Sequence, residues 1–349
     1  MHKWLLNECR LSLTLHVPGR LQVAAPREDK DTSEKAGNLT EVVREGGRLY
    51  LPGSSLKGVL RQRAEYIANL VNEAGLGACH LFDPALEKPA ADDDAYRRLA
   101  CGYRFNIRQQ AQEAGRHTLA MSQRYRDACP ACQLFGHTFH AGHLRLTDFM
   151  VVGSGGTRQV PHTALDRITN SVASRSKDKG DRGSGQLFTH EYVTNSSFSG
   201  ELVINNFSLW QLGWLGYLLR DLQDGLIRVG HKRTSGAGQV AIQAVAVRLR
   251  QIPTPTTNVV HGVSEYLRPE QQTAYGCPPE TAVSLGKLAW QRDGLWHVAD
   301  LAEDAQKRLW QKTYPLASDY LRRFTYGQEM AVAYLSDLLA GGAKEVAHA

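Results

Sequence analysis

With 349 residues, 42% hydrophobic and 22% charged, the chain is long enough for one large or two ordinary globular domains, each with its own core. The formal net charge of +6 favours an acidic partner such as nucleic acid. No apolar run approaches the ~20 residues of a membrane span, so a cytoplasmic protein with no membrane partner is expected, and its six cysteines read as thiols or metal ligands, not disulfides.

The opening MHKWLLNECRLSLTLHV alternates Leu11, Leu13, Leu15 and Val17 after a polar interruption, which predicts a strand and not a secretory segment. Residues 24–48 form a loop of mixed charge that includes Asp29, Asp31, Glu34 and Lys35. Loops this long without periodicity are uncommon unless they work. Residues 49–71 then read as a short strand, a Pro52-Gly53-Ser54-Ser55 turn and an amphipathic helix carried by Leu56, Leu60, Ala64, Ile67 and Val71. Ser54 or Ser55 can cap the first turn, and Lys57 and Arg61 stand one turn apart beside it. This helix start suits a phosphate.

Residues 75–143 show little periodicity but carry Cys79, His80, Cys101, Cys129 and Cys132. Cys129-Pro130-Ala131-Cys132 is a CxxC knuckle, and Cys79 or His80 with Cys101 completes a tetrahedral zinc site of three or four thiolates. A segment with so thin an apolar inventory gains folding free energy from such a clip. No HxE precedes the pair as a deaminase-type catalytic zinc requires, so the zinc is expected to be structural. His137, His140 and His143 read as spare polar residues.

In residues 157–192 the polar centre SRSKDKGDRGSG is flanked by RITNSV and QLFTHEYV, which can form the two legs of a projecting hairpin. A strand at 198–207, a helix at 208–224 and a strand ending at 249 follow. Before that last strand, Gly230-His231-Lys232-Arg233-Thr234-Ser235-Gly236-Ala237-Gly238 combines glycines, which let backbone approach a polyanion, with basic side chains that neutralise phosphate. The order of elements is compatible with a ferredoxin-like βαββαβ core. Pro253, Pro255, Pro269, Pro278 and Pro279 mark a linker. Beyond it LAWQRDGLWHV reads as a hairpin around Asp293-Gly294, and 302–339 as two helices divided near Pro315. There is no internal repeat, no GxSxG and no Walker lysine loop.

Taken together, LPGSSLKGVLR (51–61), CPACQLFG (129–136), ALDRITNSV (164–172) and GHKRTSGAGQV (230–240) resemble the repeat-associated mysterious proteins of CRISPR systems. Among these the chain is most similar to the backbone subunit of type III effector complexes, which polymerises along the guide RNA. The resemblance implies an α+β fold with a ferredoxin-like (RRM-type) palm in an RNA-binding domain at 1–250. It also implies zinc-stabilised fingers at about 75–143 and a β-hairpin thumb at about 157–192, followed by a linker and α-rich extension at 251–349.

The resemblance places Ser54, Ser55, Lys57 and Arg61 on guide-RNA phosphates and Arg167, Ile168, Thr169 and Asn170 on the thumb, where an apolar side chain separates neighbouring bases. His231, Lys232, Arg233, Ser235 and Gly236 would face the RNA backbone, while Cys79, Cys101, Cys129 and Cys132 hold zinc. The implied partners are guide CRISPR RNA, complementary target RNA and other effector subunits, including copies or paralogues of this chain. Active members cleave target RNA with a loop aspartate and magnesium or manganese. Leu39 stands where that aspartate is expected, so either Asp31 or Asp29 serves instead or the subunit binds without cutting. Two other readings are a stand-alone endoribonuclease of the same superfamily that processes precursor transcripts, and a zinc-stabilised scaffold with no RNA role. The first of these normally carries its Gly-rich loop close to the C-terminus, whereas here residues 239–349 follow it.

Overall fold

The alternation in the first strand decides which face of the sheet is covered. In the computed structural model, which describes residues 4–24, 39–73, 77–79, 101–102, 120–163, 168, 187–277 and 279–325, strand β1 (Asn7–Leu21) buries Cys9, Leu11, Leu13, Leu15 and Val17. Arg10, Ser12, Thr14 and His16 point the other way, the period-two pattern of a sheet with one packed and one open face.

The strands that follow in the chain are β2 (Leu39–Thr40), β3 (Arg44–Glu45), β4 (Arg48–Leu51), β5 (Gly136–His137), β6 (His140–Ala141), β7 (Leu144–Leu146) and β8 (Phe149–Val152). They continue with β9 (Gly156–Thr163), β10 (Leu187–Asn205), β11 (Ala241–Gln251), β12 (Val259–Val260), β13 (Val283–Ser284), β14 (Gln291–Asp293) and β15 (Trp296–Leu301). Among the described residues the α-helices are α1 (Gly53–Val71), α2 (Met121–Arg126), α3 (Pro130–Phe135), α4 (Leu209–Gln223), α5 (Pro269–Tyr275) and α6 (Glu303–Arg323). No helix among the described residues is long and apolar enough to cross a membrane.

The main sheet runs in the order β14-β15-β11-β1-β10-β8-β4-β3, with β2, β7 and β9 also paired to β10. Its pairings are antiparallel except for β2, which lies parallel to β10. Register carries the core across it: Cys9, Leu11, Leu13 and Leu15 face Ile204, Leu202, Gly200 and Phe198 of β10. The fold is therefore α+β, with helices laid on the apolar face.

α1 contributes Leu56, Leu60, Ala64 and Ala68 at intervals of four, while Ile67 and Val71, also expected in the core, are half-buried. α4 is apolar almost all round because α6 covers its outer side. Gly213 and Gly216 leave room for Thr313 and for the rings of Trp310 and Tyr314. Trp210 then stacks on Tyr320 at 3.9 Å and Tyr217 on Tyr314 at 4.4 Å.

The structure changes two expected elements. α6 is one helix that runs through Pro315, not two helices divided there. Pro315 lacks the N–H that would bond the carbonyl of Gln311, but both residues are exposed, so water can take that carbonyl. On the opposite side Leu309, Thr313, Ala317 and Leu321 pack without a break. The hairpin also differs: the leg opposite β10 is β9, with Thr163 facing Leu187 and Gly156 facing Thr194. Of the RITNSV stretch expected to be that leg, only Ile168 lies within the described residues. The residues beyond Pro253 add to the same sheet, since β15 pairs with β11 from Val247–Leu301 to Gln251–His297.

Candidate nucleic-acid interface and metal centre

α1 starts two residues earlier than a Ser54 cap would allow. Pro52 is the N-cap, and neither Ser54 nor Ser55 caps by its side chain. Gly53 opens the first turn because a Cβ there would run into the Thr147 carbonyl oxygen. Its amide is taken by Asp148 Oδ1 at 2.7 Å, and the amides of Ser55 and Leu56 bond the Pro52 carbonyl at 3.0 and 3.2 Å. The expected row of bare amides is thus largely satisfied within the protein. What faces outward is the exposed stripe Ser54, Gly58 and Gln62, at helical spacing of four. Lys57 is half-buried, and burial, followed by the nearby Arg61 charge, lowers its pKa.

Arg61 turns to a different neighbour. Its guanidinium donates to Glu65 Oε1 at 2.7 Å, to the Gly136 carbonyl at 2.8 Å and to Cys132 Sγ at 3.3 Å. Burial opposes its charge, but the Cys132 sulfur and Glu65 outweigh that penalty and raise its pKa. The sulfur belongs to a cluster: Cys79, Cys101, Cys129 and Cys132 are all buried, and their Sγ atoms lie within 4.8 Å of one another.

Tetrahedral zinc bonds of about 2.3 Å place sulfurs about 3.8 Å apart, and Cys79 and Cys132 stand at 3.6 Å, too far for a disulfide. The backbone is arranged for sulfur as well: the Cys132 amide donates to Cys129 Sγ and the Cys129 amide to Cys101 Sγ, each at 3.4 Å. α3 begins between the knuckle cysteines, with Pro130 at its first position. Desolvation and contact with Cys101 hold the Cys129 thiol well above its ordinary pKa. Four buried cysteines so placed can hold a metal such as zinc in a closed site, with Arg61 offsetting part of the thiolate charge.

The Gly-rich loop is the third element. His231 to Gly236 are exposed, around a short 3-10 turn at Arg233–Ser235. Its ends are tied to β1 and its flanks: the His231 amide bonds the Gln22 carbonyl and the Gly238 amide the Arg20 carbonyl, both at 2.7 Å. Gly238, at φ +90°, leaves no room for a Cβ against the Val229 carbonyl. Lys232 takes the left-handed conformation at φ +56°, which costs a non-glycine residue about 1 kcal/mol. Amides of Ser235 and Ala237 hold it there by bonding its carbonyl at 3.0 and 3.3 Å. Arg233 reaches α1 through a 3.3 Å bond to Gln62 Oε1. Loop and helix, distant in sequence, therefore share one exposed surface.

Ile168 is 94% exposed. Asp29, Asp31, Arg167, Thr169 and Asn170, as well as the alternative ligand His80, lie outside the described residues. Sequence reasoning missed Arg20, Gln22, His162, His190 and Tyr192, which the fold gathers where the loop meets the β9–β10 hairpin. His190 and Tyr192 were legible as same-face residues in QLFTHEYV, but His162 was not, because β9 was not expected as their partner.

The model of the RAMP superfamily matches residues 15–241, a span that runs from β1 through the thiol cluster and the hairpin to the Gly-rich loop. The chain belongs to the RAMP superfamily. No curated protein matches it. Membership carries a general CRISPR-associated, RNA-binding role for this RAMP protein.

Proposed function

We propose that this RAMP protein is a guide-RNA-binding backbone subunit of a type III CRISPR effector complex. The observation that carries the reading is the joining of the Gly-rich loop to α1 through Arg233 and Gln62, which unites two RNA-facing segments of the resemblance on one surface. Lys232, Arg233 and Lys57 neutralise phosphates there, while Ser54, Ser55, Ser235 and Gly236 offer hydroxyls and amides that read backbone and not base. Strand order β11-β1-β10-β8, with α1 after β1 and α4 between β10 and β11, supports a ferredoxin-like palm.

In this reading zinc fills the thiol site and fixes the fingers, and the β9–β10 hairpin is the base of the thumb that bears Arg167, Ile168, Thr169 and Asn170. Guide and target RNA and neighbouring effector subunits, including copies of this chain, are its partners. A cleavage step on target RNA would use Asp31 or Asp29 with magnesium or manganese.

Extraction of RNA from the natively purified assembly tests the proposal. RNA of uniform guide length, retained with other subunits, is expected. Processing of precursor transcript by the chain alone would assign it to the stand-alone endoribonucleases, and absence of RNA would leave a scaffold.

A further inference from the structure

Where the Gly-rich loop meets the root of the hairpin, the fold collects groups of one sign. β9 and β10 present Arg158, His162, His190 and Tyr192 to the same face, since Arg158 stands opposite Tyr192 and His162 lies two residues along from Val160, the partner of His190. The imidazoles of His162 and His190 are 5.2 Å apart, centroid to centroid. Each is oriented by a neighbour: Gln22 Nε2 donates to His190 Nδ1 at 3.0 Å, and the Tyr192 hydroxyl lies 2.9 Å from His162 Nε2. The Arg20 guanidinium sits 5.3 Å from the centre of the Tyr192 ring. Gln22 ties the cluster to the loop, because its carbonyl accepts the His231 amide at 2.7 Å.

We propose that His162 and His190, with Arg20 and Lys232, form a second anion subsite that takes a phosphodiester of single-stranded RNA at the hairpin root. This rests on the RNA-binding reading above and extends it from the loop and α1 to the hairpin. The charges that bear on His190 are basic: after burial, Lys232, His162 and His231 are what lower its pKa. From the other packed elements, Glu191 turns away to Arg44 and to the Val42 amide, and Glu41 follows Thr40, the β2 residue beside His190. Among the described residues the charges that act on His190 are cations, which oppose its protonation, and an anion placed among them removes that repulsion. In the neutral ring Nδ1 accepts from Gln22 and Nε2–H of His190 is the donor left for a phosphate oxygen; in the charged ring Nδ1 also carries a hydrogen, so the Gln22 amide must turn its oxygen to it while Nε2–H keeps the phosphate.

Binding of a single-stranded oligouridylate to the full chain, measured at constant ionic strength at pH 6 and pH 8, tests the subsite. Wild type should bind more tightly at pH 6, because phosphate favours charged imidazole. His162→Gln/His190→Gln should lose about tenfold at pH 6, the scale of a charge-assisted hydrogen bond, and most of the dependence on pH. His190→Lys, which keeps a cation at every pH, should retain tight binding and show a weaker rise on acidification. Should the double variant fold poorly, His190→Lys alone decides by its pH profile. A double variant with wild-type affinity and slope, or a His190→Lys variant with the wild-type slope, overturns the subsite while leaving RNA binding intact. Wild type that binds no RNA at either pH overturns the underlying reading and the subsite with it.

Discussion

Glu280 shows how one buried group can set a pH dependence of stability. Its carboxylate accepts from the amides of Leu209 and Trp210 at 2.8 and 3.2 Å, so it caps the N-terminus of α4. Burial nevertheless dominates those amides and pushes its pKa up from 4.5 to about 7. The folded state therefore holds this proton more tightly than the unfolded state does. The stability it contributes is complete below about pH 4.5 and is lost as pH rises through about 7. A shift of that size corresponds to roughly 3 kcal/mol. Urea unfolding of wild type and Glu280→Gln at pH 4.5, 6 and 7.5 isolates the effect, because the amide does not titrate. The stability of wild type relative to the variant should fall by roughly that amount across the series. A difference that stays constant with pH would show that the carboxyl is not held protonated in the fold.

Among the elements, α6 makes the sharpest demand on its sequence. It keeps its length although Pro315 removes one backbone bond, because continuous burial of Leu309, Thr313, Ala317 and Leu321 against α4 outweighs the loss. Pro315→Ala should restore the bond to Gln311 and stabilise the protein by roughly 1–2 kcal/mol, after allowance for the greater freedom it gives the unfolded chain. An unchanged or lower urea midpoint at equal m-value would mean that the proline ring itself contributes packing. Pro315 also marks the limit of local reading. A proline in a helical pattern predicts a break, and only the covering helix, invisible to periodicity, reverses it. β1, α1 and the β14–β15 hairpin were legible because alternation, spacing of four and an Asp-Gly turn are local signals. The four cysteines were legible as ligand types, whereas their meeting is a matter of tertiary structure. So is the placing of His162 beside His190, since the hairpin pairs residues across 164–186.

At the scale of the whole molecule, α1 joins the two candidate sites of this RAMP protein. One exposed stripe of the helix bonds the Gly-rich loop through Gln62, and on another side Arg61 reaches Gly136 and the thiol cluster. A zinc tetrathiolate carries a net charge of about −2, so a guanidinium that donates to one sulfur stabilises the filled site from the second coordination sphere. The same residue was expected from sequence to hold guide-RNA phosphate, and the two roles separate cleanly. If Arg61 serves the metal, Arg61→Gln should weaken zinc retention about 10- to 100-fold in a chelator competition, while the salt dependence of RNA binding keeps its slope. If it serves phosphate, the slope should fall by about one and zinc should be held as before. Cys129→Ser/Cys132→Ser supplies the reference for a lost site. It should release about one zinc per chain and, because Arg61 and α3 then lose their anchor, also weaken RNA binding at the α1 surface. The geometry favours the first outcome for Arg61, since all three of its bonds lie within the protein and two of them end on the knuckle segment that α1 must hold in place.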